Sequence, residues 1–492
     1  MLAELSKKVA IGYLWNLLAK WLNRSIGLIS MLCLVRILEP ADFGIVALAS
    51  IVMAFFVMIS NAGTEKYLIK AEECSAEMLD SAWSLNITLK LACSVTLALF
   101  ANQLANYMKE PALSGVLLVA CLIPVISSLK NIGLVTYERD LNYKPLTQLS
   151  VTVKLITVPV TVLLALYLQN YWALIIGLIV AEVMSVVGSY LIHPYRPKWS
   201  SKQWGQQWSF SQWHLVSTTT GYVRSRIDAI LLGRYLTSGD VGIYRVSQEF
   251  AWLPFTELIA PATSSMYSGI AKVREDRELL NNSILRYLAI SYLLVIPSVF
   301  GIYALSDLFT AVVLGEKWRD AAPIIGLLAM LMLSMPLNIS LQSVLTNLSK
   351  IKYLVFLDMV MIAAIVSIIL WLSRKDDFDI LLYSQYRVFL VFLFILMLCL
   401  VYKALINLPI RRVGMVFFLP MIPSILMAKT LTLVESHLDY PDAVSLLILV
   451  VIGVFTFSSV MFFIIAATKS WICEYDFIFG ILKKMRPSAQ GG

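Results

Sequence analysis

The chain has 492 residues, 59% of them hydrophobic and 14% charged, with a formal net charge of +8 from 39 Lys and Arg against 31 Asp and Glu; its mean hydropathy is +0.79. A water-soluble globular chain holds about 45–50% apolar and roughly 25% charged residues, so the composition excludes one and makes the bilayer the main solvent. The positive balance, which in a soluble chain would suggest nucleic acid, is explained here by basic loops that set membrane topology, and no nucleic-acid partner is expected.

Apolar runs of about 20 residues bounded by polar or Pro/Gly turns mark membrane spans. In chain order, spans 1 to 14 fall at 11–38, 43–62, 81–107, 112–136, 147–169, 171–192, 209–236, 241–264, 284–306, 321–346, 352–373, 382–406, 413–434 and 443–467. The expected fold is an all-α polytopic membrane protein of about fourteen transmembrane helices. Met1 to Ala10 carries Lys7 and Lys8 and flows into span 1 without a small-residue cleavage site, so no removable signal peptide is expected. Alternating the loops places 22 Lys and Arg on the side of the N-terminus and 5 on the other, which by the positive-inside rule puts both termini in the cytoplasm and requires an even span count. The longest loops, such as Gly63 to Asp80 and Asp307 to Asp320, leave no room for a soluble domain.

An internal repeat sits at an offset of 198 residues: Leu34, Arg36, Leu38, Asp42, Gly44 and Ile45 recur as Leu232, Arg234, Leu236, Asp240, Gly242 and Ile243, and Trp15 recurs as Trp213. Six spans separate the copies, an even number that preserves direction. The expectation is two six-helix lobes, 1–192 and 193–406, related by a pseudo-two-fold axis along the membrane normal, an architecture of transporters. Residues 407–492 add two further spans and a cytoplasmic tail.

Charges inside spans cost at least about 2.5–3.5 kcal/mol each and face a bundle interior or a wet cavity. With a rise of about 1.5 Å per residue, Lys20 and Arg24 lie roughly 14 and 20 Å into span 1, on one face at four-residue spacing. Lys90, Lys130 and Lys154 enter spans 3, 4 and 5 from the cytoplasmic side, which makes the inner leaflet of the first lobe cationic. Arg224 and Arg226 sit near the middle of span 7, with Asp228 four residues after Arg224 as an internal partner. Span 8 carries Arg245, Glu249 and Glu257, with Pro254 between the acids as an expected kink. Snorkelling explains Lys130 and Lys154 as readily as a cavity role does, capping and headgroup anchoring explain Arg36 and Arg234, and Arg245 with Glu249 also reads as a self-satisfied pair.

Other signals are weak. Asp377-Phe378-Asp379 has a metal-binding spacing but falls in an outer loop. The six cysteines form no C-x-x-C pair, the three histidines are far apart, and no phosphate-binding G-x-x-x-x-G-K-S/T occurs. No metal site, catalytic residue or cofactor is expected.

The stretch Leu34 to Gly44 (L-V-R-I-L-E-P-A-D-F-G) followed by Asn61-Ala62-Gly63 resembles the opening of bacterial polysaccharide transporters, the Wzx-type lipid-linked oligosaccharide flippases of the multidrug/oligosaccharidyl-lipid/polysaccharide superfamily. Trp83 with Asn86, Tyr171 to Leu174, Arg196-Pro197, Asp228 to Gly233, Gly242 to Tyr244 and Leu314 to Trp318 extend the resemblance from about residue 10 to 350. Its flavour is that of the colanic and teichuronic acid exporters. The resemblance implies a central cavity bordered by spans 1, 2, 7 and 8, alternating access, no enzymatic activity, and location in the bacterial inner membrane. It implies as cargo undecaprenyl diphosphate carrying one oligosaccharide repeat, and as partners membrane lipids with a polysaccharide polymerase and a chain-length regulator as candidates.

On this reading the substrate-binding set is Lys20, Arg24, Lys90, Lys130, Lys154, Arg224 and Arg226. Asp228, Arg245, Glu249 and Glu257 are candidates for coupling or gating, with Na+, H+ or the membrane potential as the driving force. A cation-coupled drug or organic-cation antiporter remains an alternative, although it would want an acidic or aromatic cavity. So does a membrane-embedded polymerase or ligase, which would need a larger outer loop bearing catalytic Arg or His. A scaffold role predicts normal function after the arginines are neutralised.

Overall fold

The fold is that of a computed structural model, which describes residues 2–60, 64–70, 74–205, 207, 226–259, 266, 270, 273, 276–348, 350–438 and 440–468. Every regular element among these residues is helical, as required of a chain whose backbone polar groups must be satisfied without water. Among the described residues, eleven helices are long and apolar enough to cross a membrane. Of the other three expected spans, one is broken and two are only partly described. Span 4 is interrupted, as helices Ala112–Ala120, Leu122–Ser128 and Leu134–Arg139. Span 7 is described only from residue 226, and span 8 only to residue 259, as helix Ser238–Ala251, a turn at Trp252 and a π-helical turn Phe255–Ile259 around Pro254. The α-helical pattern is interrupted where the kink is expected: proline has no N–H to donate and its ring crowds the preceding turn.

The chain divides into two compact units, residues 1–242 and 243–492. This division falls inside helix Ser238–Ala251, whereas the sequence repeat places its boundary near 192, and the last two spans belong to the second unit.

In the first unit, helix Lys144–Leu168 packs against both Trp172–Ile192 and Leu2–Ile37. Leu34, Leu38, Ala165 and Ala173 form one core at the turn between spans 1 and 2. The repeat motif explains itself there. The Asp42 carboxylate accepts the Glu39 N–H (3.0 Å) and the Tyr171 N–H (2.9 Å). In the second copy Asp240 accepts the Thr237 N–H (3.1 Å) while Thr237 Oγ1 accepts the Asp240 N–H (3.2 Å). Each aspartate is the third residue of its helix and accepts the N–H of the residue before that helix, satisfying an orphan donor at the helix start; in the second copy the exchange is reciprocal, a capping box. Two residues on, Gly44 and Gly242 face one another: a Cβ on Gly44 would overlap the Ser238 carbonyl, and one on Gly242 the Pro40 carbonyl. The repeat therefore encodes a capped turn and a backbone-to-backbone crossing.

The break in span 4 is held by Asn131. Its N–H donates to Ser189 Oγ (3.0 Å), its side-chain amide to the His193 and Tyr195 carbonyls (3.3 and 2.8 Å), and its Oδ1 accepts the Gly133 N–H (2.9 Å). Burial, aided by the Arg196 guanidinium, pushes the His193 imidazole below its ordinary pKa, and its Nδ1 accepts the Tyr195 N–H at 3.2 Å.

The second unit is built around helix Arg277–Phe309, capped by the Asp276 carboxylate. Large aromatics carry its core, with Tyr292, Tyr383, Tyr402 and Trp318 fully buried. Tyr292 Oη donates to the Leu333 carbonyl (3.0 Å) at the 3-10 turn Leu331–Ser334, and Tyr402 Oη bonds to the Leu337 carbonyl (3.1 Å) and Ser340. Asp379 of the D-x-D signal is the N-cap of helix Ile380–Ile406, accepting the Leu382 N–H at 2.7 Å.

Candidate functional site

The first polar seam joins spans 1 and 5. Lys144, Thr147, Ser150 and Lys154 recur at three- and four-residue spacing, which puts them on one face of their helix. Lys144 Nζ lies 5.9 Å from the Trp15 ring centroid, Thr147 Oγ1 donates to the Trp15 carbonyl (3.2 Å), and Ser150 Oγ accepts from Asn23 Nδ2 (3.1 Å). Lys154 Nζ donates to the Asn23 carbonyl at 2.6 Å. Gly27, one turn beyond Asn23, leaves room for the ammonium: a Cβ there would stand 3.3 Å from Lys154 Nζ. Arg24 is half-buried beside this seam and its charge acts on Lys154. Two cations within electrostatic reach of each other in low dielectric repel unless an anion joins them. Lys20, a turn earlier on the same helix, is exposed.

The second seam joins spans 3, 4 and 6. Lys90 Nζ donates to Ser127 Oγ at 3.2 Å. Lys130 is exposed in the break between Leu122–Ser128 and Leu134–Arg139. Both lysines interact electrostatically with Glu182, Lys130 more strongly. Glu182 is half-buried at the centre of helix Trp172–Ile192. It is absent from the sequence-derived set, although a lone carboxylate in the middle of an apolar run is itself a signal.

Of the remaining residues, Arg224 lies outside the described residues. Arg226 and Asp228 are half-buried, and Asp228 Oδ1 accepts the Ala229 N–H at 2.8 Å. Arg245 donates to Gln248 Oε1 (3.3 Å) and pairs with Glu249 at 3.8 Å on its own helix. Glu257 is exposed on the π-helical turn beyond Pro254, where Thr256 Oγ1 donates to it at 3.3 Å. The structure thus puts Arg24 within electrostatic reach of Lys154, and Lys90 and Lys130 within electrostatic reach of Glu182, and it pairs Arg245 with Glu249. Among the described residues no group of three or more His, Cys, Asp or Glu could hold a metal ion.

The second unit also contains an apolar groove of about 610 Å³ between spans 8, 9, 13 and 14. Pro254, Pro297, Gly301, Met427, Leu431 and Gly453 shape its wall, and Ser298 and Ser458 are the polar side chains that line it.

The family model described as a polysaccharide biosynthesis protein matches residues 33–323, more than half of the chain. The chain belongs to the polysaccharide biosynthesis protein family. The matched region contains both repeat motifs, Lys90, Lys130, Lys154 and Glu182; Lys20, Arg24 and the last four spans lie outside it. The succinoglycan biosynthesis transport protein ExoT of Rhizobium meliloti (strain 1021) is 25% identical over 66% of this chain and 66% of its own, just under two thirds of its length. The lipopolysaccharide biosynthesis protein WzxC of Escherichia coli (strain K12) is 22% identical over 74% of this chain and 75% of its own. In fold, the chain is similar to the lipid II flippase MurJ in an inward closed conformation, with a TM-score of 0.71 at 15% identity over 94% of this chain and all of that one. The multi-span helical transporter fold expected from the sequence is thereby established for this family member.

Proposed function

We propose that this protein moves undecaprenyl diphosphate carrying one oligosaccharide repeat from the cytoplasmic to the outer leaflet of the bacterial inner membrane by alternating access, for assembly of a cell-surface polysaccharide. Family membership and relatives named for succinoglycan transport and lipopolysaccharide biosynthesis support the class of cargo. The observation that carries the reading to chemistry is the pair of like charges Arg24 and Lys154 in the seam between spans 1 and 5. A diphosphate cannot cross hydrocarbon unaided. Guanidinium and ammonium groups at that depth replace its water by charge-assisted hydrogen bonds, and Lys90, Lys130 and Arg226 extend the same cationic lining. Inside-negative potential favours the outward step by about 2.3 kcal/mol per charge per 100 mV, roughly 4–5 kcal/mol for two phosphate charges. The apolar groove in the second unit suits part of the prenyl tail, which gives spans 13 and 14 a role as lipid guides.

The bias of basic residues supports both termini in the cytoplasm, and a polymerase with its chain-length regulator would receive the exported repeat. The test is deletion of the gene in a host where it is the sole exporter of its polymer. Lipid-linked repeats then accumulate on the cytoplasmic leaflet; repeats that still reach the outer leaflet at the normal rate would refute the proposal.

A further inference from the structure

After helix Trp172–Ile192 the chain runs extended over 193–200 and turns over 201–205. This segment is fastened along the first turns of helix Ala76–Tyr107. Asp80 Oδ1 accepts the Tyr195 hydroxyl (2.6 Å) and the Lys198 N–H (2.7 Å), Ser84 Oγ accepts the Ser200 N–H (2.9 Å), and Ser81 Oγ accepts the Gln203 N–H (3.1 Å). Tyr195 also packs on the core cluster that holds Leu68, Leu79 and Val135. Extended backbone sends successive side chains to opposite faces: Tyr195 and Pro197 are half-buried, while Pro194, Arg196 and Lys198 are exposed. Arg196 is held in place by donating to the His193 and Tyr195 carbonyls at 2.8 Å each. Trp199 follows, 62% exposed, with Trp204 edge-on at 6.1 Å. Lys202 pairs with Glu77 at 2.9 Å, yet its side chain stays 76% exposed, and so exposed a pair offsets little of its charge. Residues 193–205 themselves hold three cations and no acid.

The fastening also fixes the level of this face. Helix Ala76–Tyr107 has 32 residues, about 48 Å at about 1.5 Å per residue, against about 30 Å of hydrocarbon. Its apolar run begins at Leu85, so Asp80, Ser81 and Ser84 stand in the polar layer just outside that run. Indole rings favour this headgroup layer, and basic side chains beside a membrane span favour anionic headgroups. We propose that residues 194–204 are a docking face for anionic phospholipids of the cytoplasmic leaflet: Lys198, Lys202 and Arg196 meet the headgroup phosphates, and the Trp199 indole lies among the glycerol esters beneath them. The choice of leaflet rests on the cytoplasmic placement of the termini proposed above. Pinned to span 3, the face grips the leaflet from which cargo is taken.

The experiment places the purified full-length protein in nanodiscs of phosphatidylcholine, alone or mixed with phosphatidylglycerol, and follows acetylation of individual lysines by mass spectrometry. Lys198 and Lys202 are expected to react about fivefold more slowly in the mixed discs. Lys144, exposed at the cytoplasmic start of span 5, should slow by less than about twofold. Trp199→Ser, a change at an exposed position, should cut the protection of both lysines to under about twofold. Equal slowing of all three lysines would be a surface-potential effect and overturns the inference, as does no slowing or unchanged protection in Trp199→Ser. Protection found in native membranes but in neither kind of disc assigns the face to a protein partner and overturns it too. Both leaflets of a disc carry the same lipid, so these outcomes judge the docking face alone and leave the transport and topology readings standing.

Discussion

In residues 1–242 the intramembrane cations reach across helix boundaries: Lys154 bonds to the backbone of span 1, and Lys90 to Ser127 of span 4. In residues 243–492 Arg245 turns instead to Gln248 and Glu249 on its own helix, and the core is closed by buried tyrosines whose hydroxyls meet backbone carbonyls. An opposite charge on the same helix offsets much of a cation's field locally. Charges that converge from several helices, with like charge near like, raise the local potential and define a place for an anion. The first unit thus suits a phosphorylated head group, and the second, with its apolar groove, suits hydrocarbon.

The largest effect should come from removing the crossing that the repeat motif builds into the first unit. Gly44→Leu or Gly242→Leu places a side chain into a facing backbone carbonyl. The expected cost is about 3 kcal/mol or more, read as loss of folded protein by size-exclusion chromatography and thermal unfolding in detergent; a variant as stable as wild type would remove the crossing from the account. Next in size, Lys154→Met keeps the apolar stem but deletes a charge-assisted hydrogen bond. It should lower the flipping rate about 10- to 100-fold at normal membrane abundance. A near-normal rate would show that Lys154 only snorkels.

A smaller effect, specific to the second unit, is expected from Gly453→Phe, which fills the groove. Affinity for long-chain cargo should fall about three- to tenfold while a short-chain analogue binds normally. Equal losses for both chains would move the tail elsewhere. The smallest effect belongs to Arg245→Gln. Its pair is long and partly exposed, so stability should change by less than about 0.5 kcal/mol and transport by less than about twofold. A loss as large as that of Lys154→Met would erase the contrast between the units.

Much of the fold is legible in the sequence because hydrocarbon imposes a simple rule, long apolar runs between polar turns. The exceptions arise where a side chain replaces helical hydrogen bonds: Asn131 holds the break in span 4, and Pro254 leads into the π-helical turn of span 8. The repeat was visible as a pattern, but its chemistry was not, since a capping aspartate and a crossing glycine look alike in one dimension whether or not their partners are near. Asp379, one half of a metal-like D-x-D, is a helix cap for the same reason. In the candidate site, counting cations found Arg24, Lys90, Lys130 and Lys154 but could not pair them. Spacing along one helix predicts only contacts on that helix, such as Arg245 with Glu249, and the lysines within electrostatic reach of Glu182 stand on two other spans.

The most direct test of the central claim, that Arg24 and the lysines around it carry a diphosphate head group, is leaflet-resolved flipping of a polyprenyl-diphosphate-linked oligosaccharide in proteoliposomes. The wild type and Arg24→Ala should be reconstituted at equal density. The prediction is rapid transfer by the wild type and a rate at least about tenfold lower for the inserted, folded variant. Equal rates would contradict the account.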